Sequence, residues 1–147
     1  MTQPATGQGT PPVLSIPGLA PELRERVLEG MARVEALLSA RVAADDPFVA
    51  EASGHLLAAG GKRFRPLLTL LVAELGAGAT DEVVAAAAGV ELTHLASLYH
   101  DDVMDEADVR RGAPSANARY GNSTAILVGD LLFGTASDIV ADLGPQA

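Results

Sequence analysis

The sequence predicts an all-α protein, on three observations. Apolar residues recur at helical spacing, and no segment shows convincing strand alternation. Hydrophobic residues make up 48% of the chain but aromatics only 3%, so a core must be built from Leu, Val and Ala, of which Ala and Leu are strong helix formers. Helix-start and helix-stop signals carrying proline or glycine separate the periodic segments. The 147 residues suit one domain at most, and there is no internal repeat.

Taken in order, residues 1–18 are rich in Pro, Gly, Thr and Gln and are expected to be a disordered tail. Residues 19–147 form the helical unit. Pro21 suits a first helical turn, and Leu23, Val27, Met31, Val34, Leu37 and Leu38 mark an amphipathic helix to about Ala43. Asp45-Asp46-Pro47 opens a second helix, a capping carboxylate before a first-turn proline, which Gly60-Gly61 ends. A third helix begins near Arg65-Pro66. It is apolar almost all round and is therefore expected to be deeply buried. Thr80 or Asp81 caps a long fourth helix from Asp81 to Met104, whose Ala85–Ala88 run lets neighbours pack closely. Arg110 to Pro114 reads as a loop, a short helix follows near Ser115, and a last helix runs from about Ser123 to Leu143. Helices this apolar need more partners than the chain provides, so the sequence reads as part of a larger fold.

Composition excludes several functions. A net charge of −9 argues against a nucleic-acid surface and against a polybasic membrane anchor. With no cysteine, disulfides and thiolate metal sites are excluded. No uninterrupted apolar run reaches the roughly 18 residues that span a bilayer, so no transmembrane segment is expected. Met1 to Pro12 lacks the pattern of a signal peptide. A cytoplasmic protein is the expectation, although an apolar substrate could bring it to a membrane surface.

Two charged clusters carry chemistry. Asp101, Asp102, Asp105, Glu106 and Asp108 put five carboxylates within eight residues. An acidic run is ordinarily a solvated helix end, but this one directly follows the apolar stretch Val90 to Tyr99. Asp101 and Asp105 stand one helical turn apart on one face. Hard oxygens so spaced suit Mg²⁺, which takes one or two carboxylates and leaves its other positions to water and phosphate. The second cluster is Gly60-Gly61-Lys62-Arg63-Phe64-Arg65-Pro66. Lys62 is the single lysine of the chain. Glycines let the backbone approach a ligand, Lys offers a point charge and Arg a fork for phosphate oxygens. The plain alternative is a helix end followed by solvated basic side chains. Arg110 and Arg111 could pair with Asp105, Glu106 or Asp108, or could grip a diphosphate.

Together and in this order, GGKRFRP at 60–66, ELTHLASLYHDDVMDEADVRRG at 91–112 and NARYGNSTAILVGDLLFGTA at 117–136 resemble the trans-type isoprenyl (polyprenyl) diphosphate synthases. The resemblance covers about residues 20 to 143 and implies the N-terminal half of an isoprenoid-synthase-type helical bundle around a central cavity. It implies a Mg²⁺-dependent prenyltransferase that condenses an allylic prenyl diphosphate with isopentenyl diphosphate. Asp101 and Asp105 would ligate the metal, with Asp102 assisting. Arg110 would hold the allylic diphosphate, and Lys62, Arg65, His94 and Arg111 the isopentenyl diphosphate. His100 is left as structural. Ala96 and Ser97, both small, lie one turn before Asp101 where a growing prenyl tail would run, which implies a medium- or long-chain product.

The family's second Asp-rich motif and its later Lys-Thr and Gln positions are missing from these 147 residues. The chain alone is therefore expected to have little or no synthase activity. It is expected to be a piece of a longer, homodimeric enzyme. Alternatively it is one chain of a split synthase whose partner supplies the second motif, or a non-catalytic diphosphate-binding or regulatory subunit of a heteromeric one.

Overall fold

The computed structural model describes residues 16–145. Among these the chain runs through α1 (Pro21–Val42), α2 (Pro47–Ala58), α3 (Phe64–Ala73), α4 (Asp81–Met104), β1 (Val109–Arg110), β2 (Ala113–Pro114), α5 (Ala116–Tyr120) and α6 (Asn122–Asp142). The all-α expectation holds. The one departure is that the expected loop at Arg110–Pro114 is a tight hairpin, with Val109 opposite Pro114 and Arg110 opposite Ala113. Most of the expected tail lies outside the described residues. Ile16, near its end, packs against the core together with Leu19.

Helix starts are set locally. The Asp46 carboxylate accepts from the amides of Phe48 (2.9 Å) and Val49 (3.0 Å), and Pro47 occupies the first turn of α2. Thr80 Oγ1 accepts from Val83 N at the start of α4 (3.3 Å), and Ser115 Oγ accepts from Ala118 N at the start of α5 (3.2 Å). Each such cap stabilises its helix by about 1 kcal/mol.

Helix α4 is the central post and packs against α6, α3 and α1. Val84, Ala87, Ala88, Leu92, Leu95, Ala96 and Tyr99 are all buried along it. The chain returns along it in α6, antiparallel, since Gly89 faces Ile139 and Val140 while Gly129 lies under the His100 ring. A side chain at Gly129 would collide with that imidazole, which also donates from Nε2 to Ile126 O (3.0 Å). Tyr99 reaches the other way, its hydroxyl donating to Ala52 O (2.6 Å) and accepting from Leu56 N (3.3 Å) in α2. Arg33 ties α1 to the start of α4 through Ala79 O (2.6 Å) and Asp81 (2.5 Å).

The expectation for α3 is corrected. Only Pro66, Leu67 and Leu70 are buried on it, while Phe64, Leu68 and Val72, and Leu75 beyond its end, are exposed. Its inner stripe meets α4 and α1, and its outer stripe has no cover among the described residues. Helix α6 likewise exposes Ile126, Leu127, Leu131 and Val140. By length and composition α6 is apolar enough to cross a membrane, which amends the expectation drawn from uninterrupted apolar runs. Its buried stripe of Ala125, Val128, Gly129, Leu132, Ala136 and Ile139 makes it a bundle helix against α4.

Candidate active site

Both charged clusters sit where the backbone is most constrained. Among the described residues the non-glycine residues with positive φ are Arg63 (48°), Glu106 (50°) and Arg111 (53°). Arg63 and Glu106 belong to the two clusters, and Arg111 follows the acidic one directly. Such conformations are unfavourable for side chains other than glycine and persist where the surroundings fix them, commonly at functional sites.

On the acidic side, α4 carries Asp101, and Asp105 forms its C-cap with its amide bonded to Asp101 O (2.8 Å). The two are one turn apart, about 6 Å along the helix axis. Asp101 is half-buried and Asp105 exposed, and neither has an ion-pair partner among the described residues. Two free hard carboxylates on an open face fit an ion that draws its remaining ligands from water and a diphosphate. No group of three or more His, Asp or Glu side chains forms a closed metal cage among the described residues.

Asp102 is placed otherwise than expected. It has no exposed surface, and its Oδ1 accepts from Arg110 Nε (2.8 Å) and from Arg110 Nη2. Its Oδ2 is buried without a hydrogen-bond partner. It points at Arg110 rather than beside the other two aspartates, because a step of one residue turns a helical side chain by about 100°. The same pairing settles the partner of Arg110, which is Asp102 and not Asp105, Glu106 or Asp108. The bond to Asp102 holds the guanidinium charged, its pKa raised further above the usual value.

On the basic side, Lys62 and Arg65 are exposed and have no ion pair among the described residues. Arg63, between them, is turned inward and is 8% exposed. Sequence reasoning missed this residue and its partners Glu35 and Glu91. The available signal was Glu91, the one charged residue between Glu82 and Asp101 on a helix otherwise apolar enough to be a core element. A buried carboxylate there requires a basic partner. Burial raises the Glu91 pKa, and Arg63 opposes that shift.

The two sides meet. Arg111 Nη1 donates to Leu56 O (3.0 Å) and to Gly60 O, so the arginine expected to grip substrate is also a brace between hairpin and glycine loop. Its guanidinium lies 2.8 Å from where a Cβ on Gly61 would stand. Gly61, with φ 145°, is thus a position where only glycine fits. Burial lowers the His94 pKa, and Arg65, Arg111 and Arg110 push it the same way while Asp101 opposes them. One half-buried imidazole therefore feels charges from both clusters. The site is an open face. Two clefts in the surface, of about 450 and 380 Å³, include none of these residues.

Ala96 is fully buried, so a larger side chain there would meet packed neighbours rather than an open floor. Ser97 is half-buried, its Oγ donating to His94 O (2.7 Å). The open stripe of α4 runs Val90, His94, Ser97, Asp101.

Residues 46–147 match the polyprenyl synthetase family. The chain belongs to that family. Over 122 residues it is 55% identical to a nonaprenyl diphosphate synthase of Mycobacterium tuberculosis, a match covering 82% of this chain and 36% of that protein. It is 42% identical over 120 residues to heptaprenyl diphosphate synthase component 2 of Geobacillus stearothermophilus, covering 81% and 38%. Among solved structures it superposes, with a TM-score of 0.74 and 47% identity, on a geranylgeranyl pyrophosphate synthase of Corynebacterium glutamicum complexed with calcium and isoprenyl diphosphate. That match covers 86% of this chain and 38% of that one. The chain thus spans little more than a third of the length of the relatives it matches, and its fold is part of an isoprenoid-synthase bundle. Within that family frame, both charged clusters lie inside the matched residues.

Proposed function

We propose that this chain is the N-terminal portion of a trans-type polyprenyl diphosphate synthase that condenses an allylic prenyl diphosphate with isopentenyl diphosphate. The observation that carries the reading is the joining of the two charged clusters through the hairpin, where Arg110 pairs with Asp102 and Arg111 donates to Leu56 O and Gly60 O, in a member of the polyprenyl synthetase family. An acidic pair and a set of cations on one face suit a metal-bound diphosphate and a second diphosphate beside it.

The roles follow from placement. Asp101 and Asp105 would hold Mg²⁺, and Mg²⁺ would neutralise charge developing on the departing diphosphate. Arg110, fixed by Asp102, would hold the allylic diphosphate through whatever donor capacity the pairing leaves. Lys62 and Arg65 would hold the isopentenyl diphosphate. Neutral His94 would offer one N–H to an oxygen of the same group. Fixed cations in a preorganised site stabilise a leaving anion better than mobile water does. A medium- or long-chain product accords with the small residue Ser97 on the open stripe, and a cytoplasmic location with the absence of cysteine.

The test is incorporation of labelled isopentenyl diphosphate by the full-length protein, with Mg²⁺ and farnesyl diphosphate as acceptor. Condensation is expected with Mg²⁺ and not with excess chelator. Asp101→Asn and Asp105→Asn are each expected to lower kcat by about a hundredfold or more, in line with the loss of an electrostatic element of the transition state. The 147-residue chain alone is expected to show none. Full turnover in the presence of chelator would overturn the reading.

A second reading is favoured by one relative. The similarity to a protein named component 2 supports a heteromeric synthase in which this chain works with a different subunit. The exposed apolar stripes of α3 and α6 need cover from the remainder of the protein, a second copy or such a subunit. Activity appearing only on addition of a second polypeptide would favour the heteromer.

A further inference from the structure

Arg63 stands between two residues expected to bind diphosphate, yet its geometry excludes it from that work. A guanidinium has five N–H donors. Nε donates to Glu35 Oε1. Nη1 donates to Gly60 O (3.2 Å) and Glu91 Oε1 (3.4 Å), and Nη2 donates to Leu57 O (3.2 Å) and Glu35 Oε2 (3.5 Å). All five are spent on protein acceptors. Its acceptors come from α1, the end of α2, the glycine loop and α4, so one side chain pins four segments at the root of the loop. Lys62 and Arg65, one and two positions away, have no such partners and are exposed.

Backbone geometry points the same way. Arg63 has φ 48° and is the cap residue of α3, with Leu67 N bonded to its carbonyl (3.1 Å). A left-handed residue here reverses the chain at the start of the helix, and that conformation is unfavourable for a residue other than glycine and needs compensation. The buried contacts of its own side chain supply that compensation. With Arg63 turned in, the side chains on either side are turned out.

We propose that Arg63, clamped by Glu35 and Glu91, is the positioning residue that fixes the Lys62–Arg65 diphosphate grip without touching substrate. This deepens the reading given under Proposed function and rests on it. Electrostatics and positioning make opposite forecasts for Glu91. If Glu91 acts only through its charge, Glu91→Gln removes a negative charge near a diphosphate and should tighten binding. If it acts through Arg63, the same change loosens the loop and weakens binding.

The experiment measures both KM values and kcat of the full-length protein carrying Arg63→Lys or Glu91→Gln, and amide hydrogen exchange of residues 60–65. Arg63→Lys keeps the charge but cannot reproduce the five-donor fork. Both variants are expected to raise KM for isopentenyl diphosphate about tenfold, with kcat and KM for the allylic diphosphate within about threefold of the parent, the pattern of lost substrate binding rather than lost chemistry. Exchange of the loop amides is expected to rise while that of α6 stays unchanged. A fall in kcat with unchanged KM values would make the role one of stability alone and overturn the proposal. So would tighter isopentenyl diphosphate binding in Glu91→Gln, or unchanged loop exchange in both variants. If the parent protein does not condense isopentenyl diphosphate at all, the synthase reading fails, and the exchange measurement still decides whether Arg63 orders the loop.

Discussion

At the scale of single residues, the buried charges decide most. Asp102 has no exposure and relies on Arg110 for compensation. Breaking a buried pair by removing one partner leaves an uncompensated charge. Arg110→Ala is therefore expected to destabilise the protein by about 3 kcal/mol, and the double variant Arg110→Ala with Asp102→Asn to recover part of that loss, both read from urea denaturation. A purely substrate-binding Arg110 would leave the midpoint in place. Tyr99 gives a pH dependence. Burial raises its phenol from 10.0 to about 12. Above pH 10 the unfolded chain loses this proton while the folded chain keeps it, so the folded state binds more protons and stability falls as pH rises from 10 toward 12. Below pH 10 the contribution is fully present. The loss amounts to about 3 kcal/mol at most. Tyr99→Phe is expected to flatten this alkaline slope in thermal melts, at the expense of the hydrogen bonds to Ala52 and Leu56.

At the scale of elements, α4 carries the site because a helix offers several faces at once. One buries Leu92, Leu95, Ala96 and Tyr99, and another leaves Val90 exposed and His94, Ser97 and Asp101 half-exposed. Ser97→Phe in the full-length protein is expected to shorten the main product by at least one isopentenyl unit, as read by chromatography of the dephosphorylated products. Ala96→Phe is expected instead to destabilise by about 1–3 kcal/mol through overpacking. An unchanged product from Ser97→Phe would detach that stripe from chain length. Helix limits were legible in the sequence because caps are local: Pro21, Asp46-Pro47 and Thr80 each act on their own first turn. The burial of α3 was not legible, since an apolar surface does not say whether a neighbour covers it. The hairpin at 109–114 escaped because two-residue strands are too short for alternation to show. The inward turn of Arg63 depends on a left-handed backbone and on two distant carboxylates, Glu35 and Glu91, none of which its neighbours in sequence reveal.

At the scale of the molecule, opposite charges sit together because the fold brings the loop after α2 against the hairpin after α4. Sequence spacing separates Arg65 from Asp101 by most of the length of two helices and a connector, and only folding lets both act on the charge of one imidazole. The shared Gly60 carbonyl, which accepts from both Arg63 and Arg111, acts as a hinge pin between the two segments. Two stretches of chain some fifty residues apart are thus tied at one oxygen atom.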